Sequence, residues 1–234
     1  MNTAFVIGYD PGGKNAHGVA VLEVRKDNAR WNPIAGRLQV TATRSLREAV
    51  GWLDDRCRDG RIVGAGVDTL TEWNSGVGGW RAADLWLQKT YPDMSKRVMS
   101  PNSLRGSMAV NGAAFLTLLA PRFRSEATVI TEAHPKACFF AMTGKKHAWA
   151  DDKSKMVAWL LKELGIDAPA STFGSEDHCF DAGVALLAAL RGLNQDWSLD
   201  LHDLLNDENG GRVQFFGQTH YWWPGQQVGN GREA

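Results

Sequence analysis

Val6-Ile7-Gly8-Tyr9-Asp10-Pro11-Gly12-Gly13-Lys14-Asn15, VIGYDPGGKN, stands one residue away from a phosphate-binding loop. Gly8, Gly13 and Lys14 have the spacing G-x-x-x-x-G-K-[ST], but Asn15 occupies the position where that loop needs a hydroxyl for magnesium. Such a loop also opens directly into a helix. Here the chain continues His17-Gly18-Val19-Ala20-Val21-Leu22-Glu23-Val24, a β-branched run without helical spacing, which predicts a strand. Asp10 inside the loop would repel phosphates. The segment therefore reads as strand, tight Gly-rich turn, strand, with a carboxylate at the end of the first strand.

Working outward, residues 4–10, 17–25 and 34–41 predict three strands in meander, with Lys26-Asp27-Asn28 as a turn. Ser45 can cap a helix over 46–58 that carries Leu46, Val50 and Leu53 on one face. Residues 61–68 predict a fourth strand, which again ends in a carboxylate, Asp68. A Gly-rich loop spans 74–79, followed by helices over 80–91 and 111–119 and a fifth strand over 128–132. Pro135 suits the first position of a short helix. Apolar stripes mark helices over 152–164 and 176–191. Residues 212–216 and 220–223 look like a closing hairpin. The pattern implies an α/β domain with a mixed β-sheet. The first three strands are expected to be antiparallel neighbours. The fourth, reached through a helix, is expected to run parallel to the first.

The 26 basic and 26 acidic residues cancel, which excludes a uniformly basic coat protein but not a locally basic groove. Three cysteines without C-x-x-C spacing point to free thiols in a reducing compartment, so a cytoplasmic location is expected. The N-terminal MNTAFVIGYD has neither the basic nor the long apolar region of a signal peptide. No apolar run is long enough for a membrane span. Most of the ten tryptophans are expected to fill the core.

If the first and fourth strands are parallel neighbours, Asp10 and Asp68 emerge at the same sheet edge, where α/β sheets place ligands. Two such acids repel unless a cation lies between them, and magnesium favours oxygen ligands of this kind. In SEDHCFDAGVALLAAL, Asp181 shares a helix face with Asp177 and His178. Asp177 and Glu176 suit a helix first turn. Asp181 precedes a wholly apolar helix body, where an ionised group is costly unless paired or metal-bound.

GYDPGG…HGVAVLEV, GVDTL, TEAHPKACFFAMTG and SEDHCFDAGVALLAAL, in this order, resemble a family of predicted nucleases with a ribonuclease H-like fold over nearly the whole chain. The most specific tag is Glu132-x-His134-Pro135 before an aromatic-containing helix. The ending His220-Tyr221-Trp222-Trp223-Pro224 is also similar, and His178-x-x-Asp181-Ala182 resembles the last motif of Holliday-junction resolvases. The resemblance implies a single domain over 1–234, with helices on both sheet faces and a Gly-rich loop and helical insertion at about 73–125. It implies a nuclease that hydrolyses phosphodiester bonds with two magnesium or manganese ions. Asp10 would bridge both ions, Asp68 and Asp181 would each hold one, and Asp177 or His178 is a candidate fourth ligand. Glu132 joins the candidate catalytic acids because it matches the family motif. No clear acid stands on the first long helix, Glu48 being the nearest candidate, which argues against an RNA–DNA hybrid substrate.

Nucleic acid requires cationic contacts. Residues 79–125 carry Arg81, Lys89, Lys96, Arg97, Arg105, Arg122 and Arg124 against Asp84 and Asp93. A second cluster comprises Lys136, Lys145, Lys146, Lys153 and Lys155. Arg81, Lys96, Arg97, Arg105, Lys145 and Lys146 are the expected phosphate contacts, with Trp73 and Trp80 expected to stack on bases. Two other readings stay open. One is a catalytically silent nucleic-acid-binding or assembly module. The other is an actin-like or sugar-kinase-like ATPase, which shares the Asp-then-glycine turn but needs two such domains. DNA versus RNA and oligomeric state are open, a homodimer included.

Overall fold

The structure, a computed structural model, describes residues 3–12, 16–103, 106–123, 128–204, 211–214 and 216–225, with the backbone alone at 103 and 106. β1 (Thr3–Pro11), β2 (His17–Asp27) and β3 (Arg30–Thr43) form the expected antiparallel meander. Asn28 turns the chain between β2 and β3 at φ 53°, a left-handed conformation that asparagine tolerates. The Ser45 hydroxyl caps α1 (Leu46–Arg56) by accepting the Glu48 N–H at 3.2 Å. β4 (Gly60–Val67) then pairs parallel with β1. The chain next runs through β5 (Glu72–Asn74), α2 (Ala82–Thr90) and α3 (Gly106–Leu119) to β6 (Val129–Glu132), which pairs parallel with β4. The sheet order is β3-β2-β1-β4-β6. α4 (Pro135–Thr143), α5 (Trp149–Leu164) and α6 (Asp177–Leu193) complete the helices.

Helices cover both faces of this mixed sheet, the α/β arrangement expected from the sequence. α1 and α3 cover one face around Phe5, Ile7, Tyr9, Val67 and Phe115. α6, backed by α4 and α5, covers the other. Three sheet glycines let α6 lie unusually close. A Cβ on Gly8 would overlap the Ala182 carbonyl, one on Gly66 the Ala185 carbonyl, and one on Gly18 the His178 carbonyl. With no side chain between them, the helix backbone rests on the strands. Its first turns thus reach the ends of β1 and β4.

The chain end departs from the expected hairpin. β8 (Arg212–Gln214) pairs with β5, while β9 (Trp222–Trp223) pairs with β7 (Leu199–Asp200). Long-range interactions select these partners. Arg212 and Gln214 both bond the Glu72 carboxylate, and Trp223 is buried with its indole N–H donating to the Tyr91 hydroxyl at 3.1 Å. The expected Gly-rich loop at 74–79 also starts within β5, and its turn uses Gly78 and Gly79 at φ 87° and 67°.

Candidate metal centre and adjoining cleft

Alternation along β1 decides where Asp10 points. Phe5, Ile7 and Tyr9 pack toward α1 and α3, whereas Ala4 and Val6 join the core under α6. Asp10 has the parity of Ala4 and Val6 and emerges on the α6 face, 2% exposed. β4 repeats the pattern. Ala65 and Val67 face α1 and α3, Gly64 and Gly66 face α6, and Asp68 follows on the α6 side. The Asp68 N–H donates to the Tyr9 carbonyl at 2.8 Å, which carries the parallel ladder one residue past β4. Asp181, one turn into α6, is also buried. One oxygen from each of Asp10, Asp68 and Asp181 lies within 4.8 Å of the other two.

The electrostatics of this cluster are those of an anionic hole. Burial pushes the Asp10 carboxyl up to about 6; the hydrogen bond from His178 Nδ1, at 2.6 Å, opposes this, and the Asp181 charge adds to it. Burial, then the charges of Asp10 and Asp181, hold the Asp68 carboxyl well above its ordinary range. His178 moves the other way, its pKa raised chiefly by the hydrogen bond to Asp10. Lys136 Nζ lies 3.7 Å from both Asp177 Oδ2 and Asp181 Oδ2. Among the described residues, only Lys136, His147 and His178 bring a cationic or imidazole group within 4 Å of the three acids. His147, from the loop between α4 and α5, is not among the residues expected from sequence; a single histidine in a polar loop carries no periodic signal.

Glu132 and Arg81, expected as a catalytic acid and a phosphate contact, bind one another in the wall of the cleft that Asp68 also lines. Arg81, 5% exposed, donates to Glu132 Oε1 at 2.6 Å and Oε2 at 2.8 Å, and to Asp84 at 2.8 and 2.9 Å. Glu132 Oε2 also accepts the Thr71 N–H at 2.9 Å. Burial alone would raise the Glu132 carboxyl, but the Arg81 charge overrides it and holds it at about 2. The pair fixes the segment just after Asp68 against the end of β6. His134, from the same motif, lies with Nε2 3.2 Å from the Arg97 carbonyl oxygen. Glu48 is likewise engaged at the start of α1, where its carboxylate accepts the Arg44 N–H at 3.0 Å.

A cleft of about 680 Å³ opens beside the acids. Asp68, Lys96, Arg97, Lys136 and Lys146 line it together with the Arg81, Asp84 and Glu132 cluster and Asp93, and Met94, Met99 and Met108 supply apolar wall. Lys96, Arg97 and Lys146 are exposed, and Lys146 Nζ is 3.9 Å from Asp93. Lys145 is exposed but does not line the cleft. Arg105 and Arg124 lie outside the described residues. Neither expected stacking tryptophan lines the cleft. Trp73 is partly buried in β5, with its indole N–H donating to Asn102 at 2.9 Å, and Trp80 is partly buried. Asp177 and His178 stand at the start of α6 beside Asp181, both partly buried.

No protein-family model matches the chain, and no curated protein matches it. Among solved structures it is similar to a Thermus thermophilus RuvC structure, with 18% sequence identity and a TM-score of 0.39. That similarity covers 81% of this chain and 95% of the RuvC chain.

Proposed function

We propose that this chain is a divalent-cation-dependent nuclease that hydrolyses phosphodiester bonds in nucleic acid. The observation that carries the reading is the convergence of Asp10, Asp68 and Asp181, from two parallel strand ends and one helix, at the rim of a cleft lined by Lys96, Arg97 and Lys146. The donor set suits magnesium or manganese. It is rich in carboxylate oxygen, and Asp181 Oδ1 is buried without a hydrogen-bond partner among the described residues. Ions held by these acids would supply Lewis acidity toward a phosphodiester and its attacking water. The chain's own groups do the rest. His178 orients the Asp10 carboxylate, Lys136 tempers the anionic charge, and the cleft cations hold flanking phosphates in register with the acids.

We read the stretch from about 73 to 125 as the substrate-facing insertion of a single domain. Three free, buried cysteines support a reducing, cytoplasmic setting. Among the described residues no helix is long and apolar enough to cross a membrane.

The test is a cleavage screen over single strands, duplexes, hybrids and branched junctions, with magnesium, manganese or chelator. The expected result is cation-dependent cleavage that falls more than about 100-fold in Asp10→Asn and in Asp68→Asn. Cleavage that survives both substitutions, or nucleic-acid binding without cleavage under every condition, overturns the reading.

A further inference from the structure

Asp181 faces two groups of ligands. One comprises Asp10 and Asp68. The other comprises His147 and Asp177, and one atom from each of His147, Asp177 and Asp181 lies within 4.8 Å of the rest. We propose that His147, Asp177 and Asp181 form a second cation site, selective for a first-row transition ion over magnesium, with Asp181 as the ligand common to both sites. The inference rests on reading the acids as cation ligands, and it assigns to the site a residue that neither motif nor spacing singles out.

The primary observation is a pair of buried atoms left without hydrogen-bond partners. His147 Nε2 and Asp181 Oδ1 are 3.2 Å apart, their side chains 5% and 3% exposed. Neither atom makes a hydrogen bond, to the other or to any described residue. A buried polar atom without a hydrogen-bond partner is costly, and here two point into one space. A cation between them satisfies both. Ligand atoms bound at about 2.1 Å to one ion lie about 3 Å apart when adjacent and about 4 Å apart when opposed. The separation of His147 Nε2 and Asp181 Oδ1 is that of adjacent ligands.

The imidazole is also held in place. Phe139 and Phe180 meet it edge to face, with ring centroids 6.5 and 5.7 Å away. This apolar wall limits rotation of the ring and keeps Nε2 directed at Asp181. A preset ring loses little freedom on coordination. A cation is drawn to the same point already. The Lys136 ammonium sits 3.7 Å from the other oxygen of Asp181 and from Asp177. Lys136 lines the open cleft and is partly exposed, so its flexible stem can withdraw when an ion enters.

The donor chemistry sets the selectivity. Magnesium prefers oxygen ligands and rigid octahedral geometry, whereas manganese, cobalt and zinc accept imidazole nitrogen. One nitrogen with two carboxylates therefore favours the transition ions. The group around Asp10 and Asp68 offers oxygen alone and discriminates less.

The test titrates chelator-stripped full-length chain with manganese, counting free ion by electron paramagnetic resonance, and separately with cobalt, following its visible absorption. Wild type should bind two manganese ions. His147→Ala should lose one of them or weaken it by at least about 10–100-fold, with the cobalt bands losing their nitrogen-ligand shift. His147→Asp should keep two sites while magnesium competes more strongly for the second. Asp10→Asn should weaken the other site and leave the nitrogen-shifted cobalt bands. Thermal unfolding in chelator identifies any variant that fails to fold, and the His147→Asp arm then decides. Coincident isotherms and cobalt spectra for wild type and the His147 variants overturn the proposal. Nucleic acid is absent throughout, so the two readings fail separately. Ions bound through His147 in a chain that cleaves nothing sink the nuclease reading alone. Cleavage together with binding indifferent to His147 sinks this one alone.

Discussion

Asp10 carries its charge at a cost, and that cost has a testable sign. Its folded pKa is raised to about 6, above the unfolded value of about 3.9. The folded state then holds more protons than the unfolded state between these values, so stability falls as pH rises from about 4 to about 6 and stays reduced above. In chelator, Asp10→Asn should match wild type near pH 4 and exceed it by about 1–3 kcal/mol near pH 8. Urea unfolding at the two pH values checks this, and a variant less stable at pH 8 would make Asp10 a structural residue. Manganese should reverse the order by stabilising wild type, by about 2.7 kcal/mol when free ion reaches 100 times Kd.

At the scale of elements, the site depends on how closely α6 lies on the sheet. Gly66 faces the Ala185 carbonyl with no room for a Cβ, so Gly66→Ala must lift the helix or bend β4. Overpacking of this kind costs about 1–3 kcal/mol. The lift would also move Asp181 away from Asp10 and Asp68, so manganese affinity should fall although no ligand has changed. Thermal unfolding combined with manganese titration tests both effects; unchanged affinity in a destabilised variant would show that α6 can shift along the sheet without opening the cluster. Elements also explain why Glu132 lies apart from the cluster. Arg81, placed at the start of α2, draws its carboxylate into a buried ion pair that also engages Asp84.

For the whole molecule, a neutral chain can bind a polyanion only where cations stand free of its own acids, and at the cleft Lys96 and Arg97 are exposed cations of that kind. Replacing Lys96 and Arg97 together by Ala should reduce the slope of log affinity against log salt by about 0.7–0.9 for each phosphate that is no longer neutralised, with ion affinity unchanged. A salt series with a short oligonucleotide in calcium measures this; an unaltered slope would move the binding face toward Lys145 and Lys153. The sequence by itself determined the meander, the parallel fourth strand and the sheet edge at which Asp10 and Asp68 emerge, because strand ends and their order are written in adjacent residues. The i, i+4 spacing likewise put Asp181 on one helix face with Asp177. Tertiary structure alone decided that Arg81 neutralises Glu132, that β8 and β9 pair with β5 and β7 instead of each other, and that His147 meets Asp181. Those meetings join residues 51, 140 and 34 positions apart in the pairs Arg81–Glu132, Glu72–Arg212 and His147–Asp181. No local period encodes them. They follow from where glycines let α6 settle and from which buried charges then find partners.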